Sequence, residues 1–435
     1  MPGPAQRNRY VDFLRLLAIV VVVVGHWLAT TIVIVDGYPV GESALGVVGY
    51  LRWLTLLLQI MPMFFLAGGF AAAASWPSWR VRGGHWAGWI YVRFVRLLRP
   101  TTWFVGLLAA GTAAAALLGA PPQVLAQAGW AVALQLWFLP VYLLLLLLAA
   151  PLWAAWQHFG WRLLAAAVAG VAGVDLLTRG AGIAVAGWAN YLLAPAAGFV
   201  LGMAWYGGAL ADRRLRLALL VGGTALLLAL IAFLGYPPWM VGIPGEPPAN
   251  TSPPNLALMA YAAAQIGLVL LLEAPMRRYL QRPRLWAVVV GGNRVVMSIY
   301  LWHMVPVLVV GFVIAATGLP TGPTAGTAAW WLARIVWIGV LGMLLAGLVA
   351  VVGRFERPAV PRPQLRGTLA SLLLVASAGL TGFALSRLAL GGFAPGGEHV
   401  AVAPLLLYAV GVLALWLPGS SAADSRHRGG SDQLR

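Results

Sequence analysis

The 435 residues contain no cysteine and no lysine, and little charge of any kind. Without cysteine there is no disulfide, no thiolate-held zinc or iron–sulfur centre and no thiol nucleophile, so chemistry must come from His, Asp, Glu, Ser or Tyr. Without lysine, the formal net charge of +17 rests on 28 arginines alone. Only 9% of the residues are charged, against ~25% in a soluble domain, which leaves too little polar surface to cover a globule. What is there instead is hydrocarbon: 61% of the residues are hydrophobic and the mean hydropathy is +0.87. The composition reads as all-α, a polytopic bundle of transmembrane helices.

A basic chain invites a nucleic-acid reading, but the arginines sit in short clusters between apolar runs, as in cytoplasmic loops facing anionic lipid. No nucleic-acid partner is expected. Arginine-only basicity with abundant Ala and Gly is the composition expected of a high-GC bacterial genome. The first apolar run is too long for a signal peptide and lacks a small-residue cleavage site, so it is expected to stay as an anchor.

Apolar runs of about twenty residues predict twelve spans, at 12–35, 52–75, 101–119, 129–153, 161–177, 188–208, 215–235, 255–273, 290–316, 327–352, 368–389 and 402–418. With these spans, 22 of the 28 arginines fall on one side, while Asp36, Glu42, Glu246 and Glu398 fall on the other. That asymmetry predicts a multi-pass protein of the cell (plasma or inner) membrane with both termini cytoplasmic. The Pro- and Gly-rich loop at 235–255 either covers an outer cavity or is plain connector, and connector is expected. Asn250-Thr251-Ser252 matches a glycosylation sequon of little weight in a bacterial chain. From Gly419 the tail is polar and is expected to be disordered.

The stretch that organises the chain is residues 12–35, DFLRLLAIVVVVVGHWLATTIVIV, which is long enough to cross a bilayer yet carries Asp12, Arg15 and His26. Each ionisable group in hydrocarbon costs at least ~2.5 kcal/mol, so such residues are read first as functional. His26 follows Arg15 by eleven positions, about three helical turns, which puts both on one face about 16 Å apart. Asp12 lies one turn before Arg15, within pairing reach.

Arg15 and His26, with Asp12 before them, resemble the first-helix signature of the membrane-bound acyltransferase family 3, and further stretches resemble that family in order. Residues 61–70, MPMFFLAGGF, are similar to its FF-x-S-G-F helix, Ala67 and Gly68 departing from the pattern. Residues 93–100, RFVRLLRP, resemble its arginine-rich segment; Trp137-Phe138-Leu139 its W-F-L helix; Ser298 to His303 its S-x-Y-L-x-H helix; and Phe355-Glu356-Arg357-Pro358 its E-x-P ending. The resemblance covers about residues 7–360, implying a ten-helix acyltransferase domain at 1–360, two additional helices at 361–418 and a cytoplasmic tail at 419–435.

The resemblance implies transfer of an acyl group from acyl-CoA, acetyl-CoA foremost, to a hydroxyl on a carbohydrate-containing acceptor such as an envelope glycan, lipid-linked sugar or glycosylated metabolite. Acyl-CoA would be a co-substrate, with no permanently bound cofactor. His26 suits the role of general base, since imidazole titrates near working pH, or of transient acyl carrier; its structural alternative is a hydrogen-bonded core histidine. Arg15 would hold a donor phosphate or carbonyl, or pair with Asp12. Arg93, Arg96 and Arg99, three apart, resemble a landing site for the phosphates of coenzyme A, or ordinary positive-inside decoration. Trp137, Tyr300, His303 and Glu356 are further candidates. His303 lies beside Pro306, which should weaken the helix there, and reads equally as an acceptor-orienting residue or a satisfied core histidine. Asp175 and Arg179, four apart, are expected to form a local pair. The glycines of GAGIAVAG at 180–187 lack the lysine and the strand-to-helix context of a phosphate loop. No two histidines sit at ligand spacing with a carboxylate, so no catalytic metal is predicted. A multi-span transporter or flippase with buried Arg and His as ligands is the alternative, though no internal repeat relates the halves.

Overall fold

The structure is a computed structural model that describes residues 8–356, 365 and 367–429, with side chains up to Leu417. In chain order the elements are α1 (Arg9–Ala29), β1 (Thr30–Val35), β2 (Tyr38–Ser43), α2 (Ala44–Val47), α3 (Leu51–Leu58), α4 (Met61–Val81), α5 (Trp86–Leu117), α6 (Pro122–Ala133), α7 (Phe138–Phe159), α8 (Trp161–Asp175), α9 (Asn190–Tyr206), α10 (Arg213–Leu234), α11 (Leu256–Leu271), α12 (Glu273–Tyr279), α13 (Pro283–Trp302), α14 (Val305–Thr317), α15 (Ala328–Glu356), α16 (Thr368–Gly391) and α17 (Val402–Gly429). Among the described residues ten helices are long and apolar enough to cross a membrane, or eleven if α11 and α12, bent by 48° at their junction, count as one broken span. α14 and residues 402–417 of α17 are shorter apolar helices. The all-α polytopic bundle read from the composition is therefore the fold.

In lipid the solvent is as apolar as the side chains, so helices gain by close packing and buried hydrogen bonds rather than by escape from water. The contact between α4 and α9 shows how. A Cβ at Gly69 would overlap the Phe199 carbonyl, and one at Gly202 would overlap the Leu66 carbonyl, so only glycine allows the two backbones this approach. Gly223 and Gly267 do the same between α10 and α11. α1 packs against α4 and α13. Its start is set by the Asn8 side chain, which accepts from the N–H groups of Tyr10 and Val11, and the Tyr10 hydroxyl donates to the Val269 carbonyl at 2.5 Å.

Three sequence expectations need correction. The first span ends at Ala29, not at residue 35: Thr30–Val35 pairs antiparallel with Tyr38–Ser43 around the two-residue turn Asp36-Gly37. Both turn residues have positive φ, 51° and 80°, the backbone that a tight hairpin requires and that Asp-Gly tolerates. The span expected at 290–316 is two helices, α13 and α14, parted at His303 and Met304, because Pro306 has no N–H to donate to the Trp302 carbonyl. Arg93, Arg96 and Arg99 lie inside the 32-residue α5 rather than ahead of a span beginning at 101. Arg357 and Pro358 of the E-x-P stretch, like residues 430–435 of the tail, lie outside the described residues.

Candidate active site

The break between α13 and α14 is where the histidines meet. His26, three residues before the end of α1, and His303, in the break, are joined Nδ1 to Nε2 at 2.8 Å, with ring centroids 5.0 Å apart. His303 is fully buried and its Nδ1 lies 2.6 Å from the Tyr300 carbonyl oxygen. A carbonyl can only accept, so His303 Nδ1 carries the proton. In the uncharged pair, His303 Nε2 is then a lone pair, His26 Nδ1 must donate to it, and His26 Nε2 is left as an unprotonated acceptor. The backbone carbonyl of Tyr300 thus fixes both tautomers. The tryptophans hold this geometry: Trp27 Nε1 donates to the His303 carbonyl at 2.8 Å, and Trp337 Nε1 to the Trp27 carbonyl at 3.0 Å.

His26 faces a chamber of about 610 Å³ that Trp137, Tyr300 and Gln135 also line. It is also lined by Leu45 of α2 and by Val241, Thr251 and Ser252 of the loop at 235–255. That loop, expected to be plain connector, is built into the site. Asp175 ties it down, accepting from Tyr236 Oη at 2.8 Å, the Leu256 N–H at 2.7 Å and Asn190 Nδ2 at 3.2 Å. Burial and the neighbouring Asp175 carboxylate both push the Tyr236 hydroxyl above the usual phenol range, so it remains a donor. The expected Asp175–Arg179 pair does not form: Arg179 lies over the Tyr236 ring, 4.0 Å from its centroid, and donates to the Leu234 and Gly235 carbonyls. Asn250 of the sequon is fully buried, with Nδ2 bonded to the Pro237 carbonyl at 2.6 Å, and is closed to glycosylation.

The remaining candidates divide. Trp137 and Tyr300 share the chamber with His26, and the Tyr300 hydroxyl donates to the Gln135 carbonyl. Glu356 stands behind it, buried, accepting from the Ser298 hydroxyl and from Trp302 Nε1 at 3.0 Å. Its partners within the S-x-Y-L-x-H stretch are therefore a hydroxyl and an indole. Asp12 is buried in the first turn of α1 and Arg15 is half-buried one turn on. The ion pairs among the described residues are Arg52–Glu246, Arg216–Glu273 and Arg277–Glu273, so the expected Asp12–Arg15 pair is not among them.

None of Arg15, Arg93, Arg96 and Arg99 lines the chamber. Arg93 is spent inside the protein: it donates to Ser75 Oγ at 2.6 Å and to the Trp89 carbonyl at 3.0 Å, and lies 3.6 Å from the centroid of the Trp89 ring. Arg99 reaches the Phe355 carbonyl at 3.4 Å, whereas Arg96 is exposed. Of the three, Arg96 presents its fork most openly.

Gln135 is a residue that sequence reasoning missed. It is buried, its Nε2 donates to the Leu301 carbonyl at 2.9 Å, and that contact fixes which way the amide points, because a carbonyl would repel Oε1. Its Oε1 accepts no hydrogen bond from the described residues. An amide flanked by leucines on both sides carries no signal of this in the sequence.

Compared with known proteins, the chain matches a family model described as an acyltransferase domain over residues 8–351. No curated protein and no solved structure matches it.

Proposed function

The chain belongs to acyltransferase family 3, and on that premise we propose that it transfers an acyl group from acyl-CoA to a hydroxyl of a carbohydrate-containing acceptor, with His26 as general base. The observation that carries this reading is the chain from the Tyr300 carbonyl through His303 to His26. It leaves His26 Nε2 as the unprotonated nitrogen of the pair, on the one of the two histidines that lines the chamber. A general base needs an unprotonated nitrogen within hydrogen-bond reach of the proton it takes, held in place by a third group on its far side.

The step follows from that geometry. A hydroxyl in the chamber donates to His26 Nε2, which takes its proton as the oxygen attacks the thioester carbonyl carbon. The tetrahedral intermediate collapses with loss of the C–S bond. The proton passes from His26 Nε2 to the leaving thiolate, so ester and free thiol are the products and the imidazole is neutral again. While His26 is an imidazolium, His303 Nε2 keeps accepting from its Nδ1–H, which steadies the added charge. The exposed Arg96 on α5 is the group we assign to the phosphates of the donor; Arg93, already bonded within the protein, supports the helix that carries it. The host bilayer in this reading is the cell membrane.

Purified chain in nanodiscs, given radiolabelled acetyl-CoA and candidate glycan acceptors, tests the proposal. Wild type should move the label to an acceptor, and His26→Ala should abolish transfer while its melting curve stays cooperative. Undiminished transfer by His26→Ala removes the base, and solute movement across vesicles without acyl chemistry would favour a carrier instead.

A further inference from the structure

The chamber has a neighbour. A second cavity, of about 760 Å³, runs between α8 and α10 over a floor made by α4, α9 and α11. At its rim Trp161, Val168 and Leu226 are 46%, 40% and 45% exposed although all lie on membrane-spanning helices, so the mouth faces lipid. The walls are small and apolar: Ala165 and Ala169 lie a turn apart on α8, with Ala218 and Gly222 opposite them on α10. The slot and the His26 chamber touch the same four residues, Gln59, Met61, Trp137 and Thr251. The slot is almost wholly hydrocarbon; Gln59 and Thr251 are shared with the chamber, which Gln135 also lines.

We propose that the slot between α8 and α10 holds the hydrocarbon chain of a substrate, whose polar end projects past Trp137 to His26. A polar sugar or a nucleotide would forfeit its hydration in such a slot without recovering a hydrogen bond. An alkyl chain arriving sideways from the bilayer loses nothing, because it moves from one hydrocarbon medium to another. Gln59, Thr251 and Gln135, which line the chamber beyond the slot, supply the polar surroundings that the other end of an amphiphile needs. The inference rests on acyl transfer at His26 and narrows its substrates: either the acyl group of the donor is long, or the acceptor is borne on a lipid.

The test uses the full chain in nanodiscs with a hexadecyl glucoside carrying a diazirine midway along its chain. Photolysis followed by peptide mass spectrometry should place label on α4, α8 and α10 at the slot, in excess over other lipid-facing helices. Ala169→Trp should cut that label about tenfold, the scale of one lost favourable contact of ~1.4 kcal/mol. Competition on wild type keeps the test independent of how that variant folds. Displacement by palmitoyl-CoA assigns the slot to the donor's acyl chain, displacement by unlabelled hexadecyl glucoside to a lipid-borne acceptor, and displacement by both to either chain. Label spread evenly over the lipid-facing helices, or displaced by neither competitor, means ordinary boundary lipid and overturns the proposal. Labelling needs no turnover, so a His26→Ala chain that still transfers acyl groups sinks the base without touching the slot.

Discussion

Replacing His303 with leucine would separate a positioning histidine from a merely buried one. In the structure His303 Nε2 accepts the proton that His26 carries on Nδ1, at 2.8 Å. His303→Leu fills much of the same volume but leaves that N–H facing a methyl group. An unpaired buried donor costs about 1–3 kcal/mol. His26 can avoid the cost by moving its proton to Nε2, which removes the base from the chamber, or by turning its ring, which displaces it. Charged to the transfer step, that range is roughly 5- to 150-fold in rate. The expected result is therefore a fall in kcat of about tenfold to a hundredfold with the KM for acyl-CoA little changed, since His303 does not line the chamber.

His303→Gln is the control. A glutamine amide oxygen reaches close to where Nε2 lies and can accept from His26, so this variant should recover most of the lost kcat. Single-turnover transfer at saturating donor and acceptor is the measurement, with thermal melting in the same nanodiscs to exclude unfolding. Wild-type kcat in His303→Leu would refute the tautomer argument. Equal losses in the leucine and glutamine variants would show that only the shape of the ring matters.

Three further substitutions have expected outcomes. Gln135→Leu removes a polar group from the chamber lining and should raise the KM for the acceptor by about tenfold, the scale of one lost polar contact, while leaving the KM for acyl-CoA unchanged. A parallel rise in both constants in steady-state kinetics would mean that the substitution only disturbs the Leu301 contact. Arg93→Ala breaks the bonds to Ser75 and Trp89 and should lower the melting temperature through a loss of about 1–3 kcal/mol. Arg96→Ala, at an exposed site, should leave melting unchanged and raise the KM for acyl-CoA; the reverse pattern would exchange the roles assigned to the two arginines.

What the sequence disclosed and what it hid follow from the physics of each residue. An imidazole in hydrocarbon is conspicuous because it is costly there, so His26 and His303 stood out, although nothing in a spacing of 277 positions says that they touch. The weakening expected from Pro306 was legible in kind, but its extent, a full break that frees the His303 carbonyl for Trp27, depends on α1 lying alongside. The hairpin after Ala29 was hidden by its own composition: TTIVIV is β-branched and apolar, so a search for membrane-length runs absorbs it. The signal that contradicts a helix is local, the Asp36-Gly37 pair set between Val35 and Tyr38. Charge misled in two places. Asp175 and Arg179 have the spacing of a helical pair, yet the helix changes its winding at Leu176, and each finds partners from distant segments.

Arginine at turn-like intervals looks like a phosphate site whether or not it is one, and only the Trp89 ring under Arg93 separates the arginine that packs from Arg96, which is exposed. Gln135 lies at the other extreme, since its one informative property, an acceptor left buried without a donor, exists only once the chain is folded. Groups that are expensive anywhere in a bilayer can be found by reading along the chain. Groups whose cost depends on what stands beside them cannot, and in this protein those include the Gln135 amide.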